Sequence, residues 1–249
     1  MTYQLEVCID NLESLHRALK GGATRIELCS SLALGGLTPS VGMMKQAAKH
    51  SNVPVYAMIR PRQGDFVYDQ DDLDMMADDI QAASDAGLQG VVLGLLTPEG
   101  NIDSHNASAL VAKAHALNLG VTFHRAIDHC RNGPQALEAI ISLGCERVLT
   151  SGLAQDVNEG QMMLSQFVEQ AAGRIIVMAG AGLSQQNVET IVKQCGVREV
   201  HLSGKSTRDS EMIYRVQHTH MGQDGIDDYK IPVTNPRLIN GVASVLNTL

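Results

Sequence analysis

Residues 174–204 read RIIVMAGAGLSQQNVETIVKQCGVREVHLSG. The run Ile175–Ala179 is short and β-branched, and it ends in Gly180-Ala181-Gly182. Ser184 then reads as the cap of a helix in which Val188, Ile191, Val192 and Cys195 recur with the 3.6-residue period, and Gly196 reads as its stop. Glu199–Leu202 is a second short strand, so the stretch is one strand–helix–strand unit.

The same unit recurs along the whole chain. Predicted strands are Tyr3–Cys8, Arg25–Cys29, Pro54–Arg60, Gly90–Leu93, Gly120–His124 and Arg147–Thr150, besides Ile175–Ala179 and Glu199–Leu202. Their starts lie roughly 20 to 36 residues apart, the size of a βα unit. Between them Leu73, Met76, Ala77 and Ile80 form one helical stripe, and Ala107, Leu110, Val111 and Ala114 another. Leu164, Phe167, Val168 and Ala171 form a third. Asp10 with Glu13 predicts a capping box for the first helix, closed by Gly21. Gly133-Pro134 opens the fifth helix and Gly144 closes it. Eight even repeats and a final helix over Leu238–Leu249 favour a closed (β/α)8 TIM barrel over a doubly wound sheet. The whole chain, 1–249, is then one α/β domain, with residues 205–236 a polar, aperiodic, flap-like loop before the last helix.

Composition bounds the partners. A formal net charge of -8 argues against nucleic acid, which demands a basic stripe. No apolar run reaches the roughly 18 residues of a membrane span, and the first residues show no secretory signal. Cys8, Cys29, Cys130, Cys145 and Cys195 are an odd set, which fits free thiols in a reducing cytoplasm. Aromatic residues make up only 3%, so Val, Ile, Leu, Met and Ala must build the core.

Alternation along the strands sends Glu6 and Cys8, Arg25, Glu27 and Cys29, Tyr56, Met58 and Arg60, Thr122 and His124, and Glu199, His201 and Ser203 into the barrel. Such an interior is unusually charged, because barrels are normally filled by branched apolar side chains. Buried carboxylates and guanidinium groups must pair or neutralise, so one reading of Glu6, Arg25, Glu27 and Glu199 is a structural ion-pair plug. Cys8, Cys29, Arg60, His124 and His201 stand instead at strand C-termini, where barrel enzymes carry their chemistry.

Three candidate sites follow. Gly180 and Gly182 after the seventh strand, with Ser203 and Gly204 after the eighth, form a candidate anion site of backbone N–H groups. Cys8 and Cys29 end adjacent strands and could grip a soft ion such as Cu(I), or simply be buried thiols. His124 is a candidate proton shuttle with Asp128 to orient it, and Arg60 and Arg62 could clamp an anion or merely shape their loop with Asp65. His218 and His220 alternate on the flap, where solvated histidines are the plainer reading.

Several words then match a family. Glu27-Leu28-Cys29, Gly35-Gly36-Leu37-Thr38-Pro39-Ser40, Ile59-Arg60-Pro61-Arg62, Gly64-Asp65-Phe66 with Tyr68, Thr122-Phe123-His124-Arg125-Ala126 with Asp128, Arg147 to Gly152 and Met178 to Gly182 together resemble the CutC family of copper homeostasis proteins. The likeness runs from the first strand through Ser203 and, more weakly, over Ser206–Ser210 and Tyr214-Arg215. It implies a cytoplasmic TIM barrel linked to copper tolerance, with Cys8 and Cys29 as Cu(I) ligands, and a homodimer or higher homo-oligomer. It brings no settled catalytic activity. The residues themselves support a second function, an enzyme acting on a small phosphorylated or carboxylated metabolite.

Overall fold

Closure rests on β1 (Gln4–Ile9), which pairs in parallel with both β2 (Arg25–Leu28) and β8 (Glu199–Leu202). The structure is a computed structural model, and it describes residues 3–216, 219, 221 and 225–249. The barrel continues in order through β3 (Val55–Met58), β4 (Gly90–Leu93), β5 (Gly120–Phe123), β6 (Arg147–Thr150) and β7 (Ile176–Gly180). Every barrel strand predicted from the sequence is present, with ends moved by a few residues at most.

Seven helices connect or follow the strands: α1 (Leu12–Gly21), α2 (Val41–His50), α3 (Gln70–Asp85), α4 (Ser104–Ala116), α5 (Gly133–Ser142), α6 (Gln161–Ala171) and α7 (Val188–Cys195). The final helix is α8 (Pro236–Leu246). Their apolar stripes face the sheet, as Met76, Ile80, Leu110, Val111, Leu164, Phe167, Ile191 and Val192 are all buried. Two predicted caps move. Asn11, not Asp10, caps α1, its side chain accepting the Ser14 N–H, while Asp10 turns away to accept the Leu32 N–H at 3.2 Å. The α7 cap is Asn187, and Ser184 begins the preceding turn, its N–H donating to Asn187 Oδ1 at 2.8 Å.

Residues 205–236 are not wholly a loop. β9 (Lys205–Asp209) and β10 (Lys230–Thr234) form an antiparallel ribbon that leads straight into α8. Its base docks on α1 through Arg208 to Glu13 at 2.9 Å and the Thr234 N–H to Ser14 Oγ at 3.0 Å. The sequence Lys-Ser-Thr-Arg-Asp hides this strand because neither face of β9 is driven into the core, so no apolar period marks it. His218 and His220 lie outside the described residues. Among the described residues no helix is long and apolar enough to cross a membrane.

Candidate functional site

Parity places the charged side chains inside the cylinder, in two levels. At the lower level Glu199 Oε2 accepts from Arg25 Nη2 at 2.5 Å and from Arg147 Nε at 2.7 Å, and Arg25 Nε also donates to Glu6 Oε2 at 2.5 Å. Both guanidinium groups lie over the Tyr56 ring, at 5.5 and 5.3 Å. Gly90 and Gly120 make room for that ring, since a Cβ on Gly90 would collide with it. Arg147 Nη1 donates to Thr122 Oγ1 at 3.1 Å. Of the ion-pair plug expected of Glu6, Arg25, Glu27 and Glu199, Glu6, Arg25 and Glu199 are paired here and Arg147 completes it, while Glu27 has no arginine partner among the described residues.

Glu6 also reaches upward. Its Oε1 lies 2.8 Å from Nδ1 of His201, whose Nε2 is 3.8 Å from Glu27 Oε2. Burial would raise the Glu6 carboxyl, but the Arg25 charge and His201 outweigh it and hold the group down at about 2. Glu27 goes the other way. Burial dominates, the Glu6 charge adds to it, and the carboxyl is pushed up to about 7 although His201 opposes the shift. Burial would lower His201, yet the Cys8 and Glu27 charges raise it well above its ordinary value. Donor atoms of Cys8, Glu27 and His201 all lie within 4.8 Å of one another, the one such group found among the described residues.

Cys29 is not part of that group. The register sets Cys8 opposite Glu27, so Cys29 stands two residues further along its strand, a step of about 7 Å. Its thiol donates to Glu27 Oε2 at 3.6 Å and sits with Met58 and Val92 in an apolar cluster inside the barrel. Burial and the neighbouring Glu27 push this thiol well above its ordinary range. Gly36 roofs it, and a Cβ on that glycine would stand 3.0 Å from Cys29 Sγ. Cys130, Cys145 and Cys195 join no site; Cys145 and Cys195 are buried in the helix-facing core, and Cys130 packs against it.

Above this floor opens a cavity of about 1050 Å³, lined by Cys8, Glu27, Arg60, His124 and His201 together with Gly182, Ser203, Gly204 and Lys205. Its apolar wall includes Leu32, Leu34, Met58, Phe66, Leu96 and Leu149. Gly180 is not in the lining; its Cα faces Leu149 Cδ1, which a Cβ would approach to 2.6 Å, so this glycine serves packing.

The acid–base and arginine expectations are partly redrawn. His124 is buried, and its Nδ1 accepts the Ala126 N–H at 3.1 Å. Burial and the Arg60 charge lower its pKa to about 3, which favours the neutral imidazole, and the Ala126 N–H on Nδ1 leaves the ring proton on Nε2. Asp128 does not orient it. That carboxylate is spent on Arg125 Nε at 2.7 Å, Thr150 Oγ1 at 2.5 Å and the Ser151 N–H at 3.0 Å, latching the loops after β5 and β6 together. Arg62 is likewise spent on its own loop and the start of α3, on Asp72 at 3.0 Å, Asp65 at 3.1 Å and the Val67 carbonyl at 2.6 Å, and it does not line the cavity. Arg60 does line it. Its Nη1 donates to the Leu34 and Gly36 carbonyls and its Nη2 to the Gly64 carbonyl.

Four buried side-chain atoms have no hydrogen-bond partner among the described residues, and three of them, Glu27 Oε1, Arg60 Nε and His124 Nε2, belong to residues of the cavity wall. Phe66 and Gly94 are functional neighbours that sequence reasoning gave no role. Phe66 contacts both Arg60 and His124, and a Cβ on Gly94 would stand 2.5 Å from the His124 ring. A glycine directly after a predicted strand, beside a bulky inward residue of the next strand, was the available signal.

A model of the CutC family matches residues 3–206. A CutC family protein from Vibrio parahaemolyticus is 61% identical over 246 residues, covering 99% of this chain and all of that protein. One from Vibrio campbellii is 60% identical over 247 residues, with the same coverage of each. A crystal structure from Streptococcus agalactiae, described as a candidate copper homeostasis protein CutC, has a TM-score of 0.76 and 33% identity over 80% of this chain and 98% of its own. The dimeric phosphoribosylanthranilate isomerase of Thermotoga maritima, engineered as monomers, overlays with a TM-score of 0.60 across both full chains but at 13% identity, a likeness of fold alone.

Proposed function

This chain belongs to the CutC family, and from that premise we propose that it is an enzyme acting on a small carboxylated or phosphorylated metabolite held in the barrel mouth. The carrying observation is the set of unpartnered buried atoms, Glu27 Oε1, Arg60 Nε and His124 Nε2, in the wall of one cavity. A buried polar atom left without a partner costs about 1–3 kcal/mol, and a site that retains three is built to be completed by a ligand. The volume of about 1050 Å³ suits a small organic molecule and far exceeds what one ion needs. Glu27, with one free oxygen and with His201 and Cys8 beside it, is the group placed to move a proton. Gly182, Ser203 and Gly204 offer backbone at the rim, with the Lys205 ammonium beside them.

The test is thermal denaturation of the full chain against a panel of carboxylated and phosphorylated metabolites. A ligand at 100 times its Kd should add about 2.7 kcal/mol, a rise of about 5 °C or more in Tm. A ligand so found should be converted by the wild type and bound but left unconverted by Glu27→Gln. A panel without any stabilising compound overturns the proposal.

The Cys8–Glu27–His201 group favours a second reading, cytoplasmic copper homeostasis through one bound Cu(I). A thiolate and an imidazole suit that ion, the Glu27 carboxylate does not, and Glu6 on His201 Nδ1 is the outer partner a metal-bound histidine usually has. Cys8 and His201 would then be the ligands, with Cys29 a step away. Chelator competition should show one Cu(I) per chain, lost in Cys8→Ser and kept in Cys29→Ser. Wild-type affinity in the double variant removes this reading. Under either reading we place the protein in the cytoplasm as a homodimer or higher homo-oligomer, which fractionation and light scattering check.

A further inference from the structure

We infer that Arg60 and His124 form a carboxylate subsite, so that the molecule taken into the mouth is a small organic monocarboxylate with an apolar body. The inference rests on the small-molecule reading above and names its ligand class and its specificity-determining residues.

Arg60 is the first reason. Its side chain is buried, and among the described residues no carboxylate pairs with it, although the chain carries a net charge of -8 and its interior arginines Arg25 and Arg147 are both paired. Three backbone carbonyls take three of its four Nη hydrogens but leave its full charge uncompensated, and Nε–H has no acceptor. An unpaired buried cation is costly to keep, so it marks the place of an incoming anion.

His124 is the second. Because Nδ1 accepts the Ala126 N–H, the ring proton lies on Nε2, which is a donor without an acceptor. The two residues come from the loops after β3 and β5, and both contact one ring. The Arg60 guanidinium carbon is 5.1 Å from the Phe66 centroid, and the His124 centroid is 5.0 Å from it.

Charge selects the anion. One unpaired positive charge matches a carboxylate, which brings one negative charge. A phosphate monoester would bring close to two, leaving a charge unmatched in a buried wall. Leu32, Leu34, Met58 and Leu96 around the pair suit an aliphatic or aromatic remainder.

Ligand-observed NMR titrations on the full chain with hexanoate, hexanamide and pentyl phosphate test this. Hexanoate should bind at least about tenfold tighter than hexanamide, the gain of a charge-assisted contact, and tighter than pentyl phosphate. In His124→Asn, Oδ1 can still accept the Ala126 N–H while the Nε2 donor is gone. Hexanoate should weaken there by about tenfold and hexanamide should be unchanged. In the wild type, hexanoate should also move the His124 Nε2–H resonance, a reading independent of any variant. Equal binding of hexanoate and hexanamide overturns the subsite, as does a phosphate preference untouched by His124→Asn. If none of the three probes binds while the metabolite panel yields a stabilising ligand without a carboxylate, the subsite fails and the small-molecule reading stands. Silence in both experiments ends both.

Discussion

At the lower level of the barrel Glu199 is shared by Arg25 and Arg147, and Glu6 takes the remaining Nε of Arg25. At the upper level Arg60 has no carboxylate, His124 Nε2 no acceptor and Glu27 Oε1 no donor among the described residues. The residue types are the same, and all are buried. What differs is saturation. The lower groups satisfy one another and close the cylinder; the upper groups belong to residues that line a cavity and are left incomplete. Burial and charge alone therefore do not separate the two levels, whereas unspent hydrogen-bonding capacity does.

The comparison breaks most visibly at the lower level. Glu199→Gln strips the carboxylate from two buried guanidinium groups and should cost about 3–5 kcal/mol in chemical denaturation at pH 7. A loss below about 1 kcal/mol would mean that the plug is not what holds the lower barrel together.

At the upper level the sign reverses. Glu27 is pushed up to about 7 in the fold by burial, then by the Glu6 charge, against an ordinary value of 4.5. Below pH 4.5 folded and unfolded chains both carry the proton and its contribution to stability is whole. As pH climbs from 4.5 to about 7 the folded chain holds the proton longer, so stability falls with pH through that window. Glu27→Gln should remove this slope and be more stable than wild type at pH 8 by about 1–3 kcal/mol, with little difference at pH 4. Urea titrations at the two pH values check it. A destabilised variant at pH 8 would place Glu27 with the saturated layer.

Much of this arrangement was legible before any coordinates. Hydrophobic period and punctuation located all eight barrel strands, because each βα unit repeats one pattern of burial. Strand parity correctly turned Glu6, Arg25, Glu27 and Glu199 inward, and Cys8 and Cys29 with them. Parity says which face, however, not which level. The stagger of β1 against β2 set Cys8 beside Glu27 and left Cys29 a step beyond. Nor could pattern say where a loop side chain spends its hydrogen bonds. Asp128 and Arg62 lie in the same loop words as His124 and Arg60, yet each turns back to its own loop or the next. The ribbon of β9 and β10 escaped notice because β9 is polar throughout and β10 offers only Ile231 and Val233 on either side of Pro232.

The two arginines of Arg60-Pro61-Arg62 give the smallest and sharpest test. They are two residues apart, so alternation alone would send both the same way. Arg60 is buried with an idle Nε, while Arg62, whose side chain is 40% exposed, is engaged by Asp65, Asp72 and the Val67 carbonyl. Ion pairs at such exposure are worth about 0–1 kcal/mol, so Arg62→Ala should lower stability by about 1 kcal/mol or less. Its effect on hexanoate binding should fall within error, because the side chain is absent from the cavity wall. Calorimetry and the NMR titration on this one variant check both. If hexanoate weakened as much as in His124→Asn, anion capture would belong to the whole loop rather than to the one guanidinium that the barrel leaves unpaired.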